Sequence, residues 1–96
     1  MITHLTPSLI GVTVPKHAKD FKIDNVVHLG YMYLQYPDKK GCIKTPLPQG
    51  NWSIVGEVEI GRVKLNGVKL SPDESEALSK LDLKEETKVV ILKSNQ

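Results

Sequence analysis

The carboxylates of Glu57 and Glu59 are the first candidates for chemistry in this sequence, because they alternate along one predicted strand. Side chains two residues apart on a strand share a face at roughly 7 Å, a spacing that general acid and base pairs use. Charged residues on a strand also protect a sheet edge against aggregation, and this interpretation requires no substrate. We therefore expect no catalytic residues in this chain.

The residues that commonly bind metals are scattered along the sequence. His4, His17 and His28 lie far apart and show no ligand spacing, and Cys42 is the only cysteine. Structural zinc sites need pairs of such ligands at short intervals. A single cysteine excludes an intramolecular disulfide and is typical of a reducing compartment. We expect neither a metal nor a cofactor.

Tyrosines and lysines are concentrated in the segment YMYLQYPDKKGCIK, residues 31–44. The turn residues in PDKKG predict a hairpin in which Tyr36 pairs with Gly41. Its inner face then carries apolar side chains. Its outer face and tip carry the residues that we predict to bind a partner, namely Tyr31, Tyr33, Gln35, Lys39, Lys40 and Lys44. Tyrosines offer large contact areas and lysines complement acidic partners, although a second layer or subunit covering this face is an equal alternative.

A second hairpin is predicted at RVKLNGVKL, residues 62–70, because Asn-Gly favours a type I′ turn. Two-residue closure places Leu65 opposite Val68. The other face then carries the basic residues of the segment, namely Arg62, Lys64 and Lys69. These form either a solvated edge or an anion-binding surface, and the latter would make the protein a small anionic-ligand or nucleotide binder.

The remaining segments predict a β-rich α+β fold. Apolar alternation in SLIGVTVP and the apolar run TKVVILK are typical of strands, and the latter indicates a central one. Ser71, Pro72 and Glu74 form the start signal of one helix near residues 72–81. We expect a single domain, residues 1–96, built as a small antiparallel sandwich or half-open barrel of about six or seven short strands.

The only tryptophan begins another predicted strand, in LPQGNWSIVGE, residues 47–57. Alternation places Trp52, Ile54 and Val58 on one side of the strand, and Gly56 marks a bulge. We expect Trp52 to close the core, and a ligand platform is the alternative.

Residues 47–56 resemble an L-P-x-G-x-W-x-I-x-G stretch found in small uncharacterised proteins of phages and prophages. An upstream Val14-Pro15 followed by the short strand DFKID adds to the likeness, which spans roughly residues 10–60. The resemblance implies a phage accessory protein that acts on a host or viral partner in the bacterial cytoplasm. It implies no catalytic residues.

The sequence as a whole favours a non-enzymatic interaction protein, such as a phage product that binds and inhibits a host defence component. A structural virion or assembly component is a further alternative. The net charge of +2 is too small to require nucleic acid. The N-terminal residues lack the pattern of a secretory signal and no stretch predicts a membrane helix, so we expect a cytoplasmic protein. Several exposed sheet edges predict a homodimer.

Overall fold

A computed structural model describes residues 2–26 and 31–95, so that His28 and the side chain of Tyr31 lie outside the described residues. In these ranges the chain forms eight strands and one helix. Their bounds are β1 Ile2–Thr6, β2 Leu9–Pro15, β3 Lys22–Val26, β4 Tyr31–Asp38, β5 Gly41–Pro46, β6 Trp52–Glu59, β7 Arg62–Leu65, α1 Pro72–Ser79 and β8 Thr87–Ser94. The expected β-rich α+β class is confirmed.

The strands form two antiparallel sheets, one of five strands in the order β1-β2-β8-β6-β7 and one of three in the order β3-β4-β5. The sheets are stacked and do not close into a barrel, which confirms the sandwich alternative. The central position of β8 agrees with its apolar run, since Val89, Val90, Ile91 and Leu92 are all buried. The strand count exceeds the expected six or seven, because β1 was not predicted.

Both faces of the five-stranded sheet are buried. Its first face packs against the three-stranded sheet through a cluster that includes Ile10, Val12, Leu34, Val90 and Leu92. Its second face carries another cluster, which the segment from Val68 to Leu83, containing α1, covers. The molecule is therefore layered as sheet, sheet and helix, a standard way to bury apolar faces.

The tryptophan motif packs as part of the first cluster. Trp52 is buried, and its indole Nε1 donates a hydrogen bond of 2.9 Å to the carbonyl oxygen of Pro48. Gly50 has a φ of +130° and lies beside the indole ring, where a side chain would be strained. Leu47 is also buried. Trp52 thus belongs to the core, as expected, and each of these positions has a packing role.

The bulge predicted at Gly56 is present, but its effect on the strand faces was not predicted. The register of β6 against β8 shifts between Ile54 and Gly56. Trp52 and Ile54 therefore pack towards the three-stranded sheet, whereas Val55 and Val58 pack towards the helix. The prediction that Val58 shares a face with Trp52 is wrong, because one extra residue in a strand reverses the side-chain alternation.

The hairpin of β4 and β5 is present with a different register. Asp38 pairs with Gly41 and Tyr36 pairs with Ile43, so the expected pairing of Tyr36 with Gly41 is wrong. The turn consists of Lys39 and Lys40 alone. A shift by two residues leaves every side chain on its predicted face, because the period of a strand is two.

The predicted hairpin at Asn66-Gly67 does not form. Instead, β6 and β7 are joined at Ile60-Gly61, where Gly61 has a φ of +74°. Asn66 does not have the positive φ that a type I′ turn requires, and its N–H bonds to the carbonyl oxygen of Val55 at 2.8 Å. Val68 and Leu70 pack against the second cluster. Burial of these two side chains therefore replaces an exposed edge hairpin.

The start of α1 contains the predicted capping box. Ser71 is the N-cap, its side chain accepts from the N–H of Glu74, and the Glu74 carboxylate accepts from the N–H of Ser71 at 2.9 Å. Glu74 is buried, and its Oε1 also accepts a hydrogen bond from the ammonium group of Lys93 in β8 at 3.4 Å. The helix start is thus connected to the central strand.

Glu74→Gln is expected to lower the free energy of unfolding by about 1 kcal/mol at pH 7. The backbone hydrogen bond from Ser71 lowers the pKa of Glu74 against opposing desolvation, and the Ser71 hydroxyl and Lys93 lower it further. Because the folded-state pKa is depressed, the carboxylate stabilises the fold fully above its unfolded-state pKa, near 4.5. This stability is lost as the pH falls through the folded-state pKa.

Urea unfolding of the unsubstituted protein and of the Glu74→Gln variant between pH 7 and pH 3 checks this prediction. The difference in unfolding free energy between the two proteins should shrink as the pH falls below the unfolded-state pKa. A difference that stays constant over this range would show that the charge of Glu74 does not contribute.

Candidate binding surfaces

The outward face of the three-stranded sheet brings together most of the residues predicted to bind a partner. Strand pairing aligns Lys22, Gln35 and Lys44 in one row and Asp24 with Tyr33 in the next. These side chains alternate with the core residues Ile23 and Leu34, so they point away from the sandwich. We call this surface the Tyr33 face, formed by Lys22, Asp24, Tyr33, Gln35, Cys42 and Lys44, with Lys39 and Lys40 at its tip.

The predicted members of this surface are placed as follows. Lys39, Lys40 and Lys44 are exposed, and Tyr33 and Gln35 are half-buried. Tyr31 belongs to β4, where its backbone pairs with that of Val26. Tyr33, Gln35 and Lys44 therefore lie on one side of the hairpin, with Lys39 and Lys40 at its turn.

Positive charge is concentrated on the Tyr33 face. Lys22, Lys39, Lys40 and Lys44 are opposed by Asp24, which leaves about three positive charges, whereas the whole chain carries +2. Asp38 belongs to the opposite parity, and its carboxylate lies 3.7 Å from His17 Nε2. A surface with this imbalance attracts acidic groups and repels basic ones.

Side chains within the Tyr33 face also contact one another. The Lys44 ammonium lies 5.6 Å from the centroid of the Tyr33 ring, within the range of a cation–π interaction. The Cys42 thiol donates to the Gln35 amide oxygen at 3.5 Å. These contacts restrict the rotamers of Tyr33 and Gln35 before binding, which lowers the entropy lost on association.

The residues predicted to bind an anion are only partly brought together. Arg62 and Lys64 line a cavity of about 180 Å³ with Glu57, Glu59 and Lys88. Glu57 forms an ion pair with Lys88, and Glu59 lies 4.0 Å from Arg62, so the carboxylates largely balance the cations. Lys69 does not line this cavity. The cavity is smaller than the roughly 300 Å³ at which ligand pockets begin, which disfavours a nucleotide here.

A larger concavity lies on the opposite side of the five-stranded sheet, between strands β1, β2 and β8 and the end of α1 with the segment that follows it. Its volume is about 680 Å³. We call it the helix cleft. Apolar, hydroxyl and charged side chains line it, including Thr3, Leu5, Thr13, Leu81, Lys84 and Val89.

The helix cleft was not predicted from the sequence. Its residues come from both ends of the chain and meet only because β2 pairs with both β1 and β8. Threonines at separate strand positions carry no spacing signal. The one available sign was the spacing of Thr3 and Leu5, two residues apart and so on one face of a strand, which would have indicated β1 itself.

Three global observations complete the description. No three His, Cys, Asp or Glu side chains come together as a metal site within residues 2–26 and 31–95. In the same part of the chain, the structure contains no helix with the length and apolar character needed to cross a membrane. Comparison with protein-family models, with curated proteins and with solved structures finds no match to this chain.

Proposed function

We propose that this protein is a non-enzymatic interaction protein that binds an acidic protein partner through the Tyr33 face. The concentration of lysines around an outward-facing tyrosine, on a chain with little net charge, carries this proposal. Tyrosine supplies buried contact area in interfaces, and the surrounding lysines steer an acidic surface to it. The β5 edge is exposed beside this face, so backbone pairing can extend the contact.

The resemblance to small phage proteins suggests the kind of organism from which the partner comes. It favours a host or viral protein of the bacterial cytoplasm, and inhibition of a defence component is the activity that we propose for the complex. The tryptophan motif that carries the resemblance is itself occupied with packing, through Leu47, Trp52 and the hydrogen bond to Pro48. The Tyr33 face lies outside that motif.

Reversing the charges of Lys39, Lys40 and Lys44 to glutamate is expected to weaken partner binding by at least about tenfold, because attraction becomes repulsion. Tyr33→Ala is expected to weaken it by a similar factor through lost contact area. Affinity capture from a bacterial lysate, with quantitative mass spectrometry, identifies the partner. Titration of the purified partner then measures the dissociation constants.

The matched control reverses Lys16, Lys19 and Lys69, which are exposed and belong to no strand of the three-stranded sheet. This variant has the same net charge as the first one, so it separates a local effect from a general one. Partner loss in the Tyr33-face variant with retention in the control supports the proposal. Equal binding by both variants would exclude the Tyr33 face as the binding surface. Equal loss of binding by both would show that the lysines attract the partner only through nonspecific charge.

The homodimer expected from the sequence stays a prediction. Large apolar side chains are exposed at the sheet edges, with 39% of Ile43 and 61% of Val63 accessible. Sedimentation equilibrium measures the association directly, and Val63→Glu tests the β7 edge as the contact.

A further inference from the structure

We propose that the helix cleft binds a small amphipathic molecule with an apolar body and an anionic head group. This site is separate from the Tyr33 face and from the Arg62 and Lys64 cavity, since it shares no lining residue with them. It therefore adds a ligand to the protein rather than a second description of its partner.

The size and floor of the cleft fit the body of such a ligand. Its volume of about 680 Å³ lies within the range of about 300–1,000 Å³ that small-molecule pockets occupy. Its apolar surface comes from β1 and β8, which flank β2, and from α1 and the residues just after it. The side chains are those of Leu5, Val89, Ala77 and Leu81. The apolar part of a ligand gains free energy by covering this surface.

Three threonines supply polar contacts on the same sheet face. Thr3 pairs with Gly11, Thr13 pairs with Val89, and Thr87 is two residues from Val89, so all three side chains have one parity. Their hydroxyls make no hydrogen bond to another side chain or backbone group of the described residues. Each hydroxyl is therefore able to donate to a ligand oxygen.

Charge at the rim indicates the sign of the head group. His4, Lys80, Asp82 and Lys84 are the titratable residues that line the cleft. Lys80 is paired with Glu76 at 3.3 Å, whereas Lys84 has no ion pair within the described ranges. The carbonyl oxygen of Lys84 accepts from the N–H of Thr87 at 3.2 Å, so this turn holds the lysine next to a cleft threonine. A carboxylate, sulfonate or phosphate suits this arrangement.

Anilinonaphthalene sulfonate has both required parts and reports binding by its fluorescence. Titration into the folded protein is expected to saturate at one molecule per chain. Phenylnaphthylamine, which has a similar ring system without the sulfonate, is expected to bind at least about tenfold more weakly, because it gains nothing from Lys84. Equal affinity for the two probes would overturn the assignment of an anionic head group.

Two variants locate the probe in the cleft. Thr13→Trp fills the floor, and Lys84→Glu reverses the charge at the rim while changing only an exposed side chain. Each is expected to weaken sulfonate binding at least about tenfold. Lys39→Glu has the same charge change on the Tyr33 face and is expected to leave it unchanged. Circular dichroism and thermal unfolding show whether each variant folds. If Thr13→Trp does not fold, the result for Lys84→Glu decides the test.

Several outcomes would overturn the proposal. Unchanged binding by Lys84→Glu and by a folded Thr13→Trp variant would place the probe elsewhere, as would equal weakening by Lys39→Glu. A change of sedimentation mass in the cleft variants, without a change in probe binding, would assign the cleft to contact between copies of the chain. None of these outcomes bears on partner capture by the Tyr33 face, so the two proposals fail independently.

Discussion

Gly56→Ala is expected to lower the free energy of unfolding by about 3 kcal/mol, a large part of the 5–15 kcal/mol typical of a small domain. A Cβ at this position would overlap the carbonyl oxygen of Lys64 and lie 2.9 Å from Leu65 Cδ2 and 3.0 Å from Leu65 Cα. These are largely backbone atoms of β7, so β7 must move away from β6. The neighbouring hydrogen bond from Asn66 to Val55 is then stretched as well.

Urea unfolding followed by the fluorescence of Trp52, the only tryptophan, measures this effect. Gly11→Ala is the matched control, because Gly11 is also a buried strand glycine. Its Cβ would meet the side-chain Cγ1 of Val89 at 2.6 Å, so the atom that must move belongs to a side chain and not to the backbone. We expect Gly11→Ala to cost about half as much. A larger cost at Gly11 than at Gly56 would contradict the backbone explanation.

Leu34→Ala is expected to cost about 3 kcal/mol, within the 2–5 kcal/mol range of buried leucine truncations. Leu34 has no exposed surface and projects from the three-stranded sheet into the cluster that joins the two sheets. Its removal leaves a cavity between two rigid layers, which relax only partly around it. The midpoint of urea unfolding is expected to fall without a change in slope.

Tyr33→Ala is the control for Leu34, because it truncates the next residue on the opposite face of β4. Tyr33 is half-buried, and its cation–π contact with Lys44 contributes about 0.5–1 kcal/mol. We expect a cost of about 1 kcal/mol. The same measurement establishes that Tyr33→Ala is folded in the partner-binding experiment. A cost equal to that of Leu34→Ala would show that the Tyr33 face is a structural surface.

Local signals in the sequence predicted several elements because each signal has a local physical cause. Ser71, Pro72 and Glu74 satisfy the free N–H groups of one helix end regardless of the surrounding fold. Alternation in β2 and the apolar run in β8 identify strands because burial on one or two faces requires those patterns. The outward face of β4 and β5 follows from the same alternation. It was predicted correctly although the pairing register was wrong, because the error was two residues and side chains alternate with a period of two.

The errors arose where two local signals competed. Asn66-Gly67 and Ile60-Gly61 are both able to turn the chain, and the fold uses the second one. Val68 and Leu70 are then available for the second cluster, against which both pack partly buried, and covering these apolar side chains stabilises the fold. Strand β1 was missed because a short segment rich in polar residues gives a weak pattern.

By itself, the sequence determined the types of most elements, the position of α1 and the outward face of β4 and β5, since capping and alternation act over a few residues. The tertiary structure decided the register of β5, the face of Val58, the separation of Lys69 from Arg62 and the existence of the helix cleft. The last three depend on which distant strands pair, whereas the register of β5 is set within its own hairpin by the two-residue turn. Pairing is set by the total apolar area that the whole chain buries, and no short segment contains that information.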